Sequence, residues 1–374
     1  MAREPKLRPT TAPIGIKDIA RELGVSIGTV DRALNGKPDI SATTRAKVLE
    51  LAERLGYTPN LAARYLQSRK PVRISVHLPQ RIALFWDALR EGIREAAAPF
   101  APALQVEFRS YRRLGDGDIP LLEEALADGT NGLIIAPGNP SALAPHLREA
   151  ARRNIPVVCV VTDAPESPRL LSVSADPFTV GAVAGELMGR FTPGGGQVGF
   201  FTGWLATQDH ADKLRGFVSS LAASSQGLAL GPIIEAHDDE REAHRGAREV
   251  FRAHPNLKGV YVSTVNSLPV LRAAEEEGRL AGLTVVTTDL FPELVDAIRA
   301  GKIAATVYQR PLTQGRVALQ ALYQYLQLRQ RIPASQRVVP YVVMRSNLDL
   351  VLERLSVDRR AGAIHPPRSR RTKA

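Results

Sequence analysis

Apolar residues fall at 16, 19, 20 and 23 of "IKDIAREL", the spacing of one stripe along a helix. Gly24 breaks that helix. Ser26 is placed to cap a second, Ile27 to Leu34, with Val30 and Leu34 facing inward. Two short helices joined by a glycine turn make a helix-turn-helix. After the loop "NGKPDI", Ser41 is placed to cap a third helix, Ala42 to Leu55. Val48, Leu51 and Leu55 share one of its faces, and Gly56 ends it. The segment 61–68 has too few apolar residues for a core of its own. A helix that short is marginal in water and orders only against a partner.

From residue 72 the pattern changes. Short apolar runs ("VRISVHL", "LQVEFRSY", "GLIIAPG", "PVVCVVT", "QVGFFTG", "GVYVST", "LTVVTTD", "IAATVYQ") alternate with helical patterns such as "FWDALREGIREAA", "FTVGAVAGELMGRF" and "FPELVDAIRAG". This βαβ periodicity predicts parallel sheets with right-handed crossovers, and more than ten elements predict two lobes. Ligands of open α/β sheets bind beyond the carboxyl ends of the strands. The polar residues there are Asp163, Asn266, Asp289 and Gln309, with Arg215 one helical segment into the second lobe. Phe85 and Trp86 follow the first strand loop. Carboxylates, amides and a guanidinium fork hydrogen bonds to vicinal hydroxyls, and aromatic faces cover the apolar side of a sugar ring. Singly, each polar residue reads equally well as a helix cap or loop residue.

Charge separates these regions. Residues 1–71 hold 13 Lys and Arg against 7 Asp and Glu, and residues 355–374 hold 6 against 1. The middle, 72–354, balances at 30 against 30. A neutral body with basic ends is an electrostatic footprint for nucleic acid. The single cysteine, Cys159, excludes an intramolecular disulfide and suits a reducing cytoplasm. The first fifteen residues lack the apolar stretch of a secretory signal, and no apolar run reaches the roughly 20 residues that span a bilayer. A cytoplasmic protein without membrane partners is expected.

The second helix carries the chemistry for reading DNA. Gly28 and Arg32 are four apart and share a face. The missing side chain at 28 leaves room for the Arg32 guanidinium to lie along a groove, where arginine matches the two acceptors of guanine. Ile27 is placed to touch a thymine methyl. For Asp31 two readings stay open: it accepts from a cytosine amino group, or it pairs with Lys17 or Arg21 of the preceding helix.

"IKDIARELGVSIGTVDRALNG" and "ISATTRAKVLELAERLGYTPNLAARYLQ" together resemble the headpiece and hinge of the lactose/galactose repressor family, continuously over 16–66. The resemblance implies that the second helix reads the major groove, that the hinge helix folds on DNA, and that Leu66 from each subunit wedges into the minor groove. It implies DNA contacts at Ser26, Ile27, Gly28, Thr29, Arg32, Asn35, Ser41, Asn60, Ala63 and Leu66. The family usually has serine where this chain has Asp31, and often a longer side chain at Gly28. Residues 72–353 resemble the type I periplasmic sugar-binding-protein fold that serves as effector domain in this family, most of all its ribose-type branch. That resemblance implies ligand contacts at Asp163, Arg215, Asn266, Asp289 and Gln309, with Phe85 and Trp86 as the aromatic pair. The chain departs from the ribose pattern at Ala164, where arginine is usual, and at "QRIAL", which lacks an asparagine. A sugar or polyol other than ribose is left open.

The expected organisation is a basic tail (1–14), an all-α headpiece (15–60), a hinge helix and linker (61–71), a two-lobed α/β effector domain (72–353) and a second basic tail (354–374). One lobe is expected at about 72–172 plus 312–332, the other at about 176–309 plus 338–353. Three crossings act as hinges for closure. Two half-sites on DNA imply a homodimer. "GGGQVG" reads as a loop, and "HDDEREAH" as a solvated surface segment rather than a metal site. His210 is a further candidate for ligand contact. No nucleophile–base arrangement, metal site or cofactor site stands out, so the expectation is a non-enzymatic, ligand-responsive regulator of transcription that binds double-stranded operator DNA. The rival readings are a sugar receptor and a sugar-active α/β enzyme with an appended DNA-binding module.

Overall fold

The computed structural model describes residues 14–34, 39–55, 57, 71–80, 82–223, 227–328 and 331–362, with side chains through 355. The chain divides into two units, residues 1–71 with 323–331, and residues 72–322 with 332–374.

In the first unit the expected helices form: α1 (Ile16–Leu23), α2 (Ile27–Leu34) and α3 (Ala42–Arg54). Asp18 accepts the Gly15 N–H at 3.0 Å at the start of α1. Gly24, at φ +64°, turns the chain and returns its N–H to the last carbonyls of that helix. Glycine takes this left-handed conformation without the Cβ penalty of other residues. Ser26 and Ser41 cap α2 and α3, accepting the N–H groups of Thr29 and Thr44 at 3.0 and 3.1 Å. Ile19, Ala20, Val30, Ala33, Val48, Leu51 and Ala52 form the core, and Leu34 and Leu55 pack against its edge. Gly56 and the segment 61–68 lie outside the described residues.

The second unit begins β1 (Val72–Pro79), α4 (Ala83–Ala97), β2 (Leu104–Tyr111), α5 (Asp118–Ala127), β3 (Gly132–Ile135), α6 (Pro140–Arg152), β4 (Val157–Val160), β5 (Leu171–Ser174). It continues α7 (Pro177–Phe191), β6 (Gly196–Thr202), α8 (Gln208–Ala223), β7 (Leu228–Glu235), α9 (Glu240–Ala253), β8 (Gly259–Val262), α10 (Ser267–Glu276). It ends β9 (Thr284–Thr288), α11 (Pro292–Arg299), β10 (Ala305–Tyr308), α12 (Pro311–Leu328), β11 (Ser335–Arg337), β12 (Tyr341–Val343) and α13 (Leu348–Gly362). Two six-stranded sheets result, in the orders β11-β5-β4-β3-β1-β2 and β12-β10-β9-β8-β6-β7. The orders correspond strand for strand. The sheets differ at one edge: β11 runs parallel to β5, whereas β12 runs antiparallel to β10. This is a helix-turn-helix followed along the chain by a two-lobed periplasmic-binding-protein-like fold. "HDDEREAH" is where α9 starts, with the Asp239 side chain accepting from the N–H groups of Arg241 and Glu242.

Glycines let helices close in equivalent places of the two lobes. A Cβ on Gly92 of α4 would lie 1.9 Å from the Leu312 carbonyl oxygen of α12, and one on Gly216 of α8 would lie 2.0 Å from that of Phe178 in α7. Any larger residue would force these helices apart. Across the mouth between the lobes, a Cβ on Gly115 would meet the Trp204 ring at 2.5 Å. Among the described residues no helix is long and apolar enough to cross a membrane.

Candidate functional site

Helix α2 buries Val30 and Ala33 and exposes Ile27, Gly28, Asp31 and Arg32 on its other side. Thr29 is half-buried, and its hydroxyl lies 2.8 Å from that of Ser26. A Cβ on Gly28 would touch only Ser26 Oγ, at 3.7 Å. The fold therefore does not require glycine there, and the gap faces outward. Neighbouring arginines are engaged, Arg21 with Asp18 at 3.2 Å and Arg54 with Glu22 at 2.5 Å. Arg32 makes no ion pair among the described residues, which leaves its five donors for a partner. Asn35, Asn60, Ala63 and Leu66 lie outside the described residues.

In the second lobe, α8 and the ends of β8, β9 and β10 converge on buried polar groups. Asp289 follows β9 at φ +73°. Its carboxylate accepts the Gln309 backbone N–H at 3.2 Å and the Gln309 side-chain amide at 2.9 Å. Burial pushes this carboxyl up to about 6, with the Lys213 charge and the Gln309 hydrogen bonds pulling the other way. Lys213, 2% exposed, pairs with Asp209 at 2.7 Å and reaches the Ser263 carbonyl at 3.4 Å. A buried ammonium is tolerable only with such partners. Asn266 precedes α10 without capping it, and its side-chain N–H group has no partner among the described residues. Asp209 Oδ1 is likewise without one. Buried polar groups are nearly always hydrogen-bonded, so these two point to a bound molecule or water.

Asn266, Asp289 and Gln309 are thus brought to the ends of neighbouring strands. Arg215 is not among them. It is exposed and paired with Asp212 of its own helix. A two-residue step turns a helix by about 200°, so Arg215 and Lys213 face opposite ways and lysine supplies the buried cation. Asp163 is also engaged elsewhere. Its oxygens accept from the Ala164 N–H at 2.7 Å and from both sides of the Arg169 guanidinium, which holds the 161–170 loop. Phe85 and Trp86 are buried in the first lobe, their rings edge-to-face at 5.0 Å. His210 accepts the Trp204 N–H at 2.9 Å through Nδ1 and lies 3.8 Å from Asp209 through Nε2. Sequence reasoning missed Asp209, Lys213 and Ser263. Acid and lysine four apart on one helix were the available signal for the first two.

A helix-turn-helix followed by a two-lobed α/β fold with a buried polar cluster at its strand ends defines a ligand-binding regulatory protein. The chain belongs to the periplasmic binding protein domain family, whose model matches residues 75–330, and its residues 15–60 match the model of the lacI family of bacterial regulatory proteins. It is similar to catabolite control protein A of Priestia megaterium, at 26% identity over 80% of this chain and 92% of that protein. Against the protein of the same name from Streptococcus mutans the identity is 27%, over 81% and 85%. Among solved structures it resembles a glucose-galactose binding protein from Geobacillus stearothermophilus, at 25% identity and TM-score 0.70, covering 75% of this chain and 99% of that one. An ABC transporter solute-binding protein from Burkholderia graminis, solved with D-arabinose, shares the fold at TM-score 0.70 and 24% identity, covering 75% of this chain and 97% of that one.

Proposed function

We propose that this regulator binds operator DNA as a homodimer in the cytoplasm, and that a small sugar or polyol held between its lobes sets its affinity for DNA. The observation that carries the effector half is the buried cluster of Asp209, Lys213, Asn266, Asp289 and Gln309, in which two polar groups lack partners among the described residues. Hydroxyls both donate and accept, so a polyol satisfies the free Asn266 N–H and the free Asp209 oxygen together. The exposed Ile27–Gly28–Arg32 face supports the DNA half. Two headpieces related by a two-fold fit two half-sites. For ligand to regulate, it must favour one arrangement of the lobes over another.

The test couples both halves. Operator sites are selected from random DNA with the purified protein, then affinity is measured with and without each sugar of a panel. One or more neutral sugars should change operator affinity by about 5- to 150-fold, the usual range of allosteric coupling. Arg32→Ala should cost about 1–3 kcal/mol on the selected site and relax preference at one base pair. Equal weakening on every sequence, with a shallower salt slope, would reduce Arg32 to a phosphate contact.

A further inference from the structure

The corresponding sheets and the paired glycine contacts fix which residues occupy the same place in the two lobes. Gly92 packs against α12 as Gly216 packs against α7. Counting back from each glycine, Phe85 stands where the second lobe has Asp209, and Leu89 stands where it has Lys213. The strand ends agree. The Val161 N–H donates to the Val173 carbonyl at 2.9 Å, as the Asp289 N–H donates to that of Val307 at 3.0 Å. Both residues turn the backbone through positive φ, +69° and +73°. Ala175 accordingly holds the place of Gln309. The last pair differs in use rather than type: Asn139 caps α6 by accepting the Ala142 N–H at 3.1 Å, whereas Asn266 caps nothing.

The first-lobe half is therefore apolar at each place where the second-lobe half is charged or amide-bearing. At its one matching polar residue, Asn139, the side-chain oxygen is already used by the α6 cap. We propose that the effector is amphiphilic: its hydroxyls face the second lobe, and an apolar edge faces Phe85 and Val161 in the first. The chemical class is a deoxy sugar, or a sugar carrying an alkyl or aryl aglycone. This rests on the reading of the second-lobe cluster as a polyol site. A fully hydroxylated sugar would strand one or more hydroxyls against side chains that cannot bond them, and desolvating an unpaired polar group is costly. Valine at Val161 supports the point. A β-branched residue at positive φ is strained, and such strain persists mostly where a site needs it.

The experiment titrates the full-length protein with matched neutral sugars: D-galactose against D-fucose, D-glucose against 6-deoxyglucose, and each parent against its methyl and phenyl glycosides. Binding is read by calorimetry and by the fluorescence of Trp86 and Trp204, the chain's two tryptophans. In the pair that binds, the deoxy or glycoside form should be tighter than its parent by about tenfold, the equivalent of one unpaired hydroxyl. Val161→Asp, which aspartate's tolerance of positive φ allows to fold, should narrow or reverse that preference. Phe85→Ser should do so too. Parents binding more tightly than every analogue, with Val161→Asp unchanged, would overturn the amphiphilic assignment and leave the polyol reading standing. Binding by none of these sugars would bring down both.

Discussion

At the end of β9 the backbone swings through the left-handed region on an aspartate; at the end of β4 it makes the same turn on a valine. The contrast runs along both half-sites, with Asp209 and Lys213 opposed to Phe85 and Leu89. The two lobes have corresponding strand orders and glycine-mediated helix contacts, so topology does not dictate the chemistry at the strand ends. The first lobe fills these places with side chains that bury at a gain. The second fills them with groups that bury at a loss unless each finds a partner. Charges kept at these places in only one of two similar halves are held there for something other than the domain's own stability.

The sharpest way to break the comparison is to unpair the ion pair. Lys213→Met should destabilise the effector domain by about 3–5 kcal/mol, because Asp209 is left buried without its cation. The loss also lets Asp289 climb further, since Lys213 pulls its pKa down. An apolar pair in the manner of the first lobe, Asp209→Leu with Lys213→Leu, should recover most of that stability. Denaturant unfolding of the three proteins measures both effects. A single variant within 1 kcal/mol of wild type would mean that the pair is solvated rather than buried.

Much of this plan was legible in the sequence. The three headpiece helices and eight of the strands followed from apolar spacing. The strands that escaped were β5, β7, β11 and β12. β5, in "LLSVS", follows β4 without a helix between, which breaks the strand–helix alternation. β7 alternates weakly and contains Gly231 and Pro232. β11 is exposed along its length and β12 has three residues, too few for its alternation to stand out. At the site, Asn266, Asp289 and Gln309 were found because strand ends are visible as apolar runs giving way to polar residues. The sequence points to Arg215 and is silent on Lys213, because it gives the residues of a helix but not which face is turned inward. Asp163 was chosen because nothing in the sequence reveals that Arg169 folds back onto it.

The lobes should also answer acid in opposite directions. His77 in β1 is 2% exposed and 2.8 Å from Ser75 Oγ, and burial, aided by Arg109, holds it down at about 4. Its folded pKa lies below the unfolded value, so its contribution is present above about pH 6.5 and is lost as pH falls toward 4. Asp289 has the reverse sign. Its pKa is raised from 3.8 to about 6, so its contribution is complete below the lower value and is lost as pH rises through the higher. Each shift corresponds to roughly 3 kcal/mol as an upper figure. His77→Gln should flatten the loss of stability between pH 6.5 and 4. Asp289→Asn should raise stability at pH 7 and lose that advantage below pH 6. Melting temperatures of both variants across that range decide it, and parallel profiles would remove the electrostatic contrast between the lobes.

The smallest effect concerns the backbone alone. Val161 and Val173 are both buried, at 6% and 0% exposure, and lie on neighbouring strands of the same sheet or just beyond. Placing asparagine at either removes similar apolar area and adds a polar group. Only Val161, however, sits at φ +69°, where a β-branched side chain is strained and asparagine is at ease. Val161→Asn should therefore cost about 1 kcal/mol less than Val173→Asn in denaturant unfolding. Equal costs would mean that the turn after β4 carries no strain. The retention of valine there would then reflect packing alone, and the likeness between Val161 and Asp289 would be one of position without energetic consequence.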